Sequence, residues 1–199
     1  MGSPFNGNWN YPTAIRFGAG RLAELPAACR ELGITRPLLV TDRGMVDLDI
    51  VKRAVSVLDK SDLPTAIFSG VESNPTGEQV DAGTEAFRGG GHDGVEAFGG
   101  GSALDVAKAV ALMAGQTRPL WDFEDREDWW TRVDTSGMRP VVALPTTSGT
   151  GSEVGRASVI TDASAHVKKI IFHPGMLPDR VICDPALTVG LPRHVTAAT

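Results

Sequence analysis

Short apolar runs alternate along this chain with longer stretches in which apolar residues return every three or four positions. A run that is apolar throughout reads as a strand covered on both faces, and the slower rhythm between runs reads as helix. The runs fall at 38–41, 65–68, 95–98, 141–144 and 181–183. Between them, Leu22, Leu25, Cys29 and Leu32 mark one helical face closed by Gly33, and Ile50, Ala54, Val57 and Leu58 mark a second. Asn74 before Pro75 reads as the cap and first residue of a third helix, with Val80, Thr84 and Phe87 inward. Strands alternating with helices in this way predict an α/β fold, a Rossmann-like parallel sheet with helices on both faces.

Three segments depart from that rhythm. Residues 157–160, a turn at 161–164 and residues 167–172 read as two antiparallel strands, a β-hairpin insertion rather than a crossover unit. Residues 11–17 form a further strand candidate without an identifiable partner, after a polar arm at 1–10 that reads as poorly structured. Residues 120–130 hold three of the four tryptophans with no sharp periodicity. They read as a surface loop whose rings cover an edge of the core, with a partner or substrate rim as the sharper alternative.

The richest stretch is GVEAFGGGSALDVAKAVALM, residues 94–113, in which a strand meets three glycines, a serine and a helix. Gly99, Gly100 and Gly101 let the backbone approach an anion closely, Ser102 reads as a helix cap, and Asp105 follows three positions later. The free N–H groups of the helix start then face a phosphate. Glycine clusters also make plain turns, as 89–91 does here, so other features must carry the reading. Asp42 ends a strand, where a carboxylate accepts from both hydroxyls of a ribose and repels a 2′-phosphate; a turn aspartate beginning the next helix is an equal alternative. PTTSGTGSE at 145–153 offers Thr146, Thr147 and Ser152 as uncharged donors, and lacks the Lys-Ser or Lys-Thr of a P-loop. On the second hairpin strand, alternation sends one of Lys168 and Lys169 inward and the other to solvent; spacing alone favours a solvated pair. Asp42 precedes the glycine loop, so the usual dinucleotide fingerprint, with its acidic residue downstream, is not met.

Composition narrows the classes. The chain has 199 residues, 42% hydrophobic and 22% charged, with a net charge of −5, which gives no basic footprint for nucleic acid. No apolar run reaches membrane-spanning length and the first residues lack the pattern of a signal peptide, which points to the cytoplasm. Cys29 and Cys183 read as reduced core thiols.

Taken together, FGAGRLAELP, LLVTDRGM, SNPTGEQV, GGGSALDVAKAVALM, PTTSGTGSEV and HPGMLPDRVICDPALTVGLPRHVTAAT resemble the iron-containing, or group III, alcohol dehydrogenase family over nearly the whole chain. Glycerol dehydrogenase and dehydroquinate synthase, which share the architecture, look less similar at PTTSGTGSE. The resemblance implies an NAD-binding α/β domain at 11–185, the start of a connection at 186–199, and a helical domain beyond, holding iron or zinc. It implies cofactor contacts at Asp42, Asn74, Gly99, Gly100, Gly101, Ser102, Asp105, Thr146, Thr147, Ser152 and Lys168, with Asp42 favouring NAD over NADP. The family's metal ligands, an aspartate and three histidines, begin past the segment matching HVTAAT, so the resemblance places them beyond Thr199. His92, His166, His173 and His194 match none of them and read as structural or solvent-facing.

The expectation is the cofactor half of an NAD-dependent alcohol dehydrogenase acting on a small alcohol or aldehyde, inactive alone. A non-catalytic nucleotide-binding or assembly module and a metal-independent reductase stand as alternatives. Apolar surface near 187–198 and pairing of strand 11–17 across subunits, as relatives do, lead to an expected dimer or larger oligomer.

Overall fold

The computed structural model describes residues 5–199. Among these residues nine strands form two sheets: β1 (Gly7–Trp9), β2 (Ala14–Phe17), β3 (Pro37–Asp42), β4 (Ala66–Val71), β5 (Gly94–Gly99), β6 (Val141–Pro145), β7 (Ala157–Asp162), β8 (Val167–Phe172) and β9 (Arg180–Cys183). Seven of them build the main sheet in the order β1-β2-β9-β6-β5-β3-β4, parallel except for β1, which runs antiparallel to β2. The helices are α1 (Leu25–Glu31), α2 (Asp49–Asp59), α3 (Gly77–Gly89), α4 (Gly101–Met113) and α5 (Arg193–Ala198).

Alternate residues of each central strand serve two cores. Leu39, Phe98, Val142, Leu144 and Ile182 pack on Leu25, Cys29, Val51 and Leu58 of α1 and α2. Leu38, Val40, Val95, Ala97, Ala143 and Val181 pack on Val80, Phe87 and the apolar surface of α3 and α4. Helix α4 is buried on nearly every side, from Ala103 to Met113 apart from Asp105, because the β7–β8 hairpin covers the face that the sheet leaves open. The hairpin is fastened at both edges. Thr161 N donates to the Pro75 carbonyl on one side, and Asp125 N donates to the Ile170 carbonyl on the other.

Several sequence expectations change here. Of the arm at 1–10, residues 1–4 lie outside the described residues; the rest is not unstructured, since it holds β1, fixed by an edge-to-face contact of Trp9 on Phe17 and by Arg21, which donates to the Gly7 carbonyl and Asn8 Oδ1. Strand 11–17 shortens to β2, Ala14–Phe17, and the Tyr11–Pro12 peptide before it is cis. Both edges of β2 are paired within the chain, to β1 and β9, and the outer edge of the sheet belongs to β1. Asn74 and Pro75 do not open α3. Asn74 has a φ of +55°, and Thr76 occupies the cap position before Gly77. Ser102 is likewise no cap, since Gly100 holds that position and Ser102 lies inside the first turn. Of the C-terminal apolar residues expected at the surface, Leu187 is buried in the core while Val189 is open to solvent. The segment 120–130 does cover an edge: Phe123 is fully buried and Trp121 packs so closely on Gly77 that a Cβ there would meet its ring at 2.6 Å. Both cysteines are free thiols.

Candidate functional site

Chain order and strand order reverse at β3. From β3 the chain goes outward to β4, then returns to the other side of β3 with β5 and continues to β6. A crevice opens outside the carboxyl ends of strands at such a switch point, because the flanking connections leave in opposite directions. Asp42 ends β3 and Gly99 ends β5, so the two features separated by more than fifty residues in the chain become neighbours. Burial of the Asp42 carboxylate raises its pKa, and the nearby backbone N–H groups of Gly100 and of Asp42 itself oppose that rise.

Gly99 has a φ of +148°, and a Cβ on it would lie 2.7 Å from the Ala103 Cβ and 2.9 Å from Asp42 Oδ2. Only glycine fits both the dihedral and the space. A Cβ on Gly100 or Gly101 would already touch Thr147 or Thr150, at 3.5 and 3.2 Å, so the loop 145–153 lies directly against the glycine turn. Bare backbone, followed by the first-turn N–H groups of α4, therefore forms the surface between the two loops. Thr146 N donates to the Gly99 carbonyl at 2.9 Å, closing the two loops together. Thr147 Oγ1 is buried beside Gly100 with no hydrogen-bond partner among the described residues.

Two hollows flank this junction. A cavity of about 960 Å³ lies between Asp42, Met45, Ile50, Glu72, Thr146 and the C-terminal residues Leu187, Leu191 and Val195. A second, of about 360 Å³, is bounded by Pro145, Thr147, Glu153 and Cys183. Thr146 thus faces one and Thr147 the other. The larger combines an apolar wall with the Asp42 carboxylate and Thr146, a chemistry suited to a flat heterocycle joined to a sugar.

The remaining sequence candidates divide. Lys168 is exposed and donates to Asn74 Oδ1 at 2.7 Å, which brings those two together at the hairpin edge. Lys169 is the inward lysine, bound to Asp162 at 2.7 Å and lying 4.9 Å from the Trp121 ring centre. The side chains of Asp105 and Ser152 are engaged with each other, and Asp105 Oδ2 accepts from Val159 N, so both brace the loop from behind. Asp42 sits in the turn 42–45 but does not begin α2, which starts at Asp49. Among the described residues no group of three or more His, Cys, Asp or Glu side chains is arranged to hold a metal ion. Thr199, past which the resemblance puts the metal ligands, follows α5: its amide donates to the Val195 carbonyl at 3.2 Å, and its own carbonyl lies against Gly149 of the loop 145–153.

Sequence reading missed the buried Lys108, whose signal was available: it shares with Asp105 the distinction of being charged in an otherwise apolar helix. It also missed the crevice wall at Leu187, Leu191 and Val195, which carries no local motif.

Strand order, glycine turn and switch-point crevice define a doubly wound, Rossmann-like α/β domain. The chain belongs to the iron-containing alcohol dehydrogenase family, whose model matches residues 12–185. It is 40% identical over 190 residues to 4-hydroxybutyrate dehydrogenase of Cupriavidus necator, covering 95% of this chain and 48% of that protein. It is 34% identical over 190 residues to 1,3-propanediol dehydrogenase of Citrobacter freundii, covering 94% and 48%. Among solved structures, sulfoacetaldehyde reductase from Bifidobacterium kashiwanohense in complex with NAD+ superposes with a TM-score of 0.83 at 34% identity, over 94% of this chain and 48% of that one. The chain spans about half the length of the curated relatives it matches. Among the described residues no helix is long and apolar enough to cross a membrane.

Proposed function

We propose that this chain is the NAD-binding portion of an alcohol dehydrogenase acting on a small alcohol or aldehyde. The observation that carries the reading is the meeting of Asp42 with the glycine turn across the switch point. In this reading the apolar wall of the larger hollow receives the adenine and the Asp42 carboxylate accepts from the ribose hydroxyls. The amides of Gly101 and Ser102 hold the pyrophosphate at the helix start, and Thr147 Oγ1 gains the partner it lacks. When bound, NAD supplies the hydride acceptor. The relative solved with NAD+ supports the cofactor, and the dehydrogenase names of the relatives support the substrate class.

A 2′-phosphate would meet the Asp42 carboxylate, so NAD is preferred over NADP. The iron in the family's name, or the zinc that the resemblance also allows, would be held by residues in the half of the relatives that has no counterpart here, and the chain alone is expected to bind cofactor without turnover. Calorimetric titration with NAD+ and NADP+ tests the reading. NAD+ is expected to bind more tightly, and Asp42→Gly to remove the difference; tighter binding of NADP+ by the unaltered chain would sink it.

A further inference from the structure

Lys108 is 1% exposed in the middle of α4. A buried ammonium needs acceptors for its three N–H groups, and here it has three. Nζ donates to the Ser152 carbonyl at 3.0 Å and to the Ala157 carbonyl at 2.5 Å, and lies 3.1 Å from Asp105 Oδ1. Burial lowers the Lys108 pKa and the Asp105 carboxylate opposes that effect. The two carbonyls bracket the turn that leads from the hydroxyl-rich loop into β7. Asp105 completes the knot: it accepts from Ser152 Oγ, from Val159 N at 2.9 Å and, through its carbonyl, from Ser158 Oγ at 2.8 Å.

An apolar side chain of similar length would fill the same space without the cost of desolvating a charge. What only a cation supplies at this point is convergence of two backbone carbonyls and a carboxylate. The loop 145–153 is thereby tied at its far end to α4, the helix whose N-terminus forms the glycine turn. At its near end Thr146 is tied to Gly99. Lys108 itself is too deeply buried to touch a ligand.

Resting on the nucleotide-binding reading, we propose that Lys108 is a positioning residue that fixes the gap between the loop 145–153 and the glycine turn. It governs the grip on the pyrophosphate and on the half of the dinucleotide beyond it. The adenosine half, in the hollow beside Asp42, does not depend on it.

The test is Lys108→Met, titrated calorimetrically with NAD+ and, separately, with adenosine, which carries no phosphate and reaches only the hollow beside Asp42. Adenosine affinity is expected to stay within about twofold, while NAD+ weakens by at least about tenfold, the scale of losing one charge-assisted hydrogen bond. Unchanged NAD+ affinity, or equal losses for NAD+ and adenosine, overturns the proposal. If Lys108→Met does not fold by circular dichroism, Lys108→Gln, which keeps two N–H donors, is held to the same criterion. Failure of both to fold also overturns it, since Lys108 would then support the fold as a whole. An unaltered chain that binds neither NAD+ nor adenosine refutes the nucleotide-binding reading itself, and the proposal falls with it.

Discussion

Glu96 is the one acidic residue in the fully buried β5, and it faces the α1–α2 core with no exposure to water. Its Oε1 accepts a hydrogen bond from the Cys29 thiol at 3.3 Å, and its Oε2 has no partner among the described residues. Burial without a cation raises its pKa from 4.5 to about 8, and the thiol offsets only part of that rise. The folded chain therefore binds this proton more tightly than the unfolded chain. Its contribution is fully present below about pH 4.5, declines as the pH rises and is lost once the pH passes about 8. Every tenfold difference in proton affinity between the two states is worth about 1.4 kcal/mol, so the loss across the window totals about 4–5 kcal/mol. The perturbation is Glu96→Gln, which keeps the shape and cannot ionise. Urea unfolding followed by tryptophan fluorescence at pH 5, 6, 7 and 8 gives the stability of both proteins, and their difference isolates Glu96 from other titrating groups. The variant is expected to gain on the unaltered chain by roughly 1 kcal/mol per pH unit up to about pH 8. Parallel stability curves from pH 5 to 8 would show that Glu96 does not hold this proton in the folded chain.

Two other substitutions probe the frame. Gly99→Ala forces a Cβ into the Ala103 and Asp42 side chains at a left-handed φ, so it is expected to destabilise the chain by about 1–3 kcal/mol and to abolish NAD+ binding by calorimetry. Asp184, 1% exposed, accepts from the amides of Gly20, Leu22 and Ala186 at 2.9–3.0 Å, tying the segment before α1 to the end of β9. Asp184→Ala strands these donors and is expected to cost about 2–4 kcal/mol in urea unfolding, with an unchanged midpoint counting against the tie.

The central strands were legible because burial on both faces demands continuous apolar runs, and the hairpin because its turn residues interrupt two such runs. The neighbourhood of Asp42 and the glycine turn was legible as chemistry but not as geometry, since only the strand order brings them together. What escaped depended on distant partners. Strand β1 is polar and short, and exists because Trp9 leans on Phe17 and Arg21 reaches back to it. Asn74 looked like a cap, yet the chain turns there with a positive φ to meet Lys168 from the hairpin. Ser102 and Asp105 fitted a capping pattern, but Asp105 turns instead to Ser152 and Val159. Lys108 stood out as a charge in an apolar helix, but the acceptors that bury it lie on the distant segment 152–157.

Amide chemical-shift mapping of the isotopically labelled chain titrated with NAD+ shows whether a dinucleotide lies across the carboxyl ends of β3, β5 and β6. Saturable shifts are expected to concentrate at Asp42, Gly99 to Ala103, Thr146, Thr147 and Leu187. Saturable shifts confined to another surface, or none at millimolar NAD+, would contradict that placement.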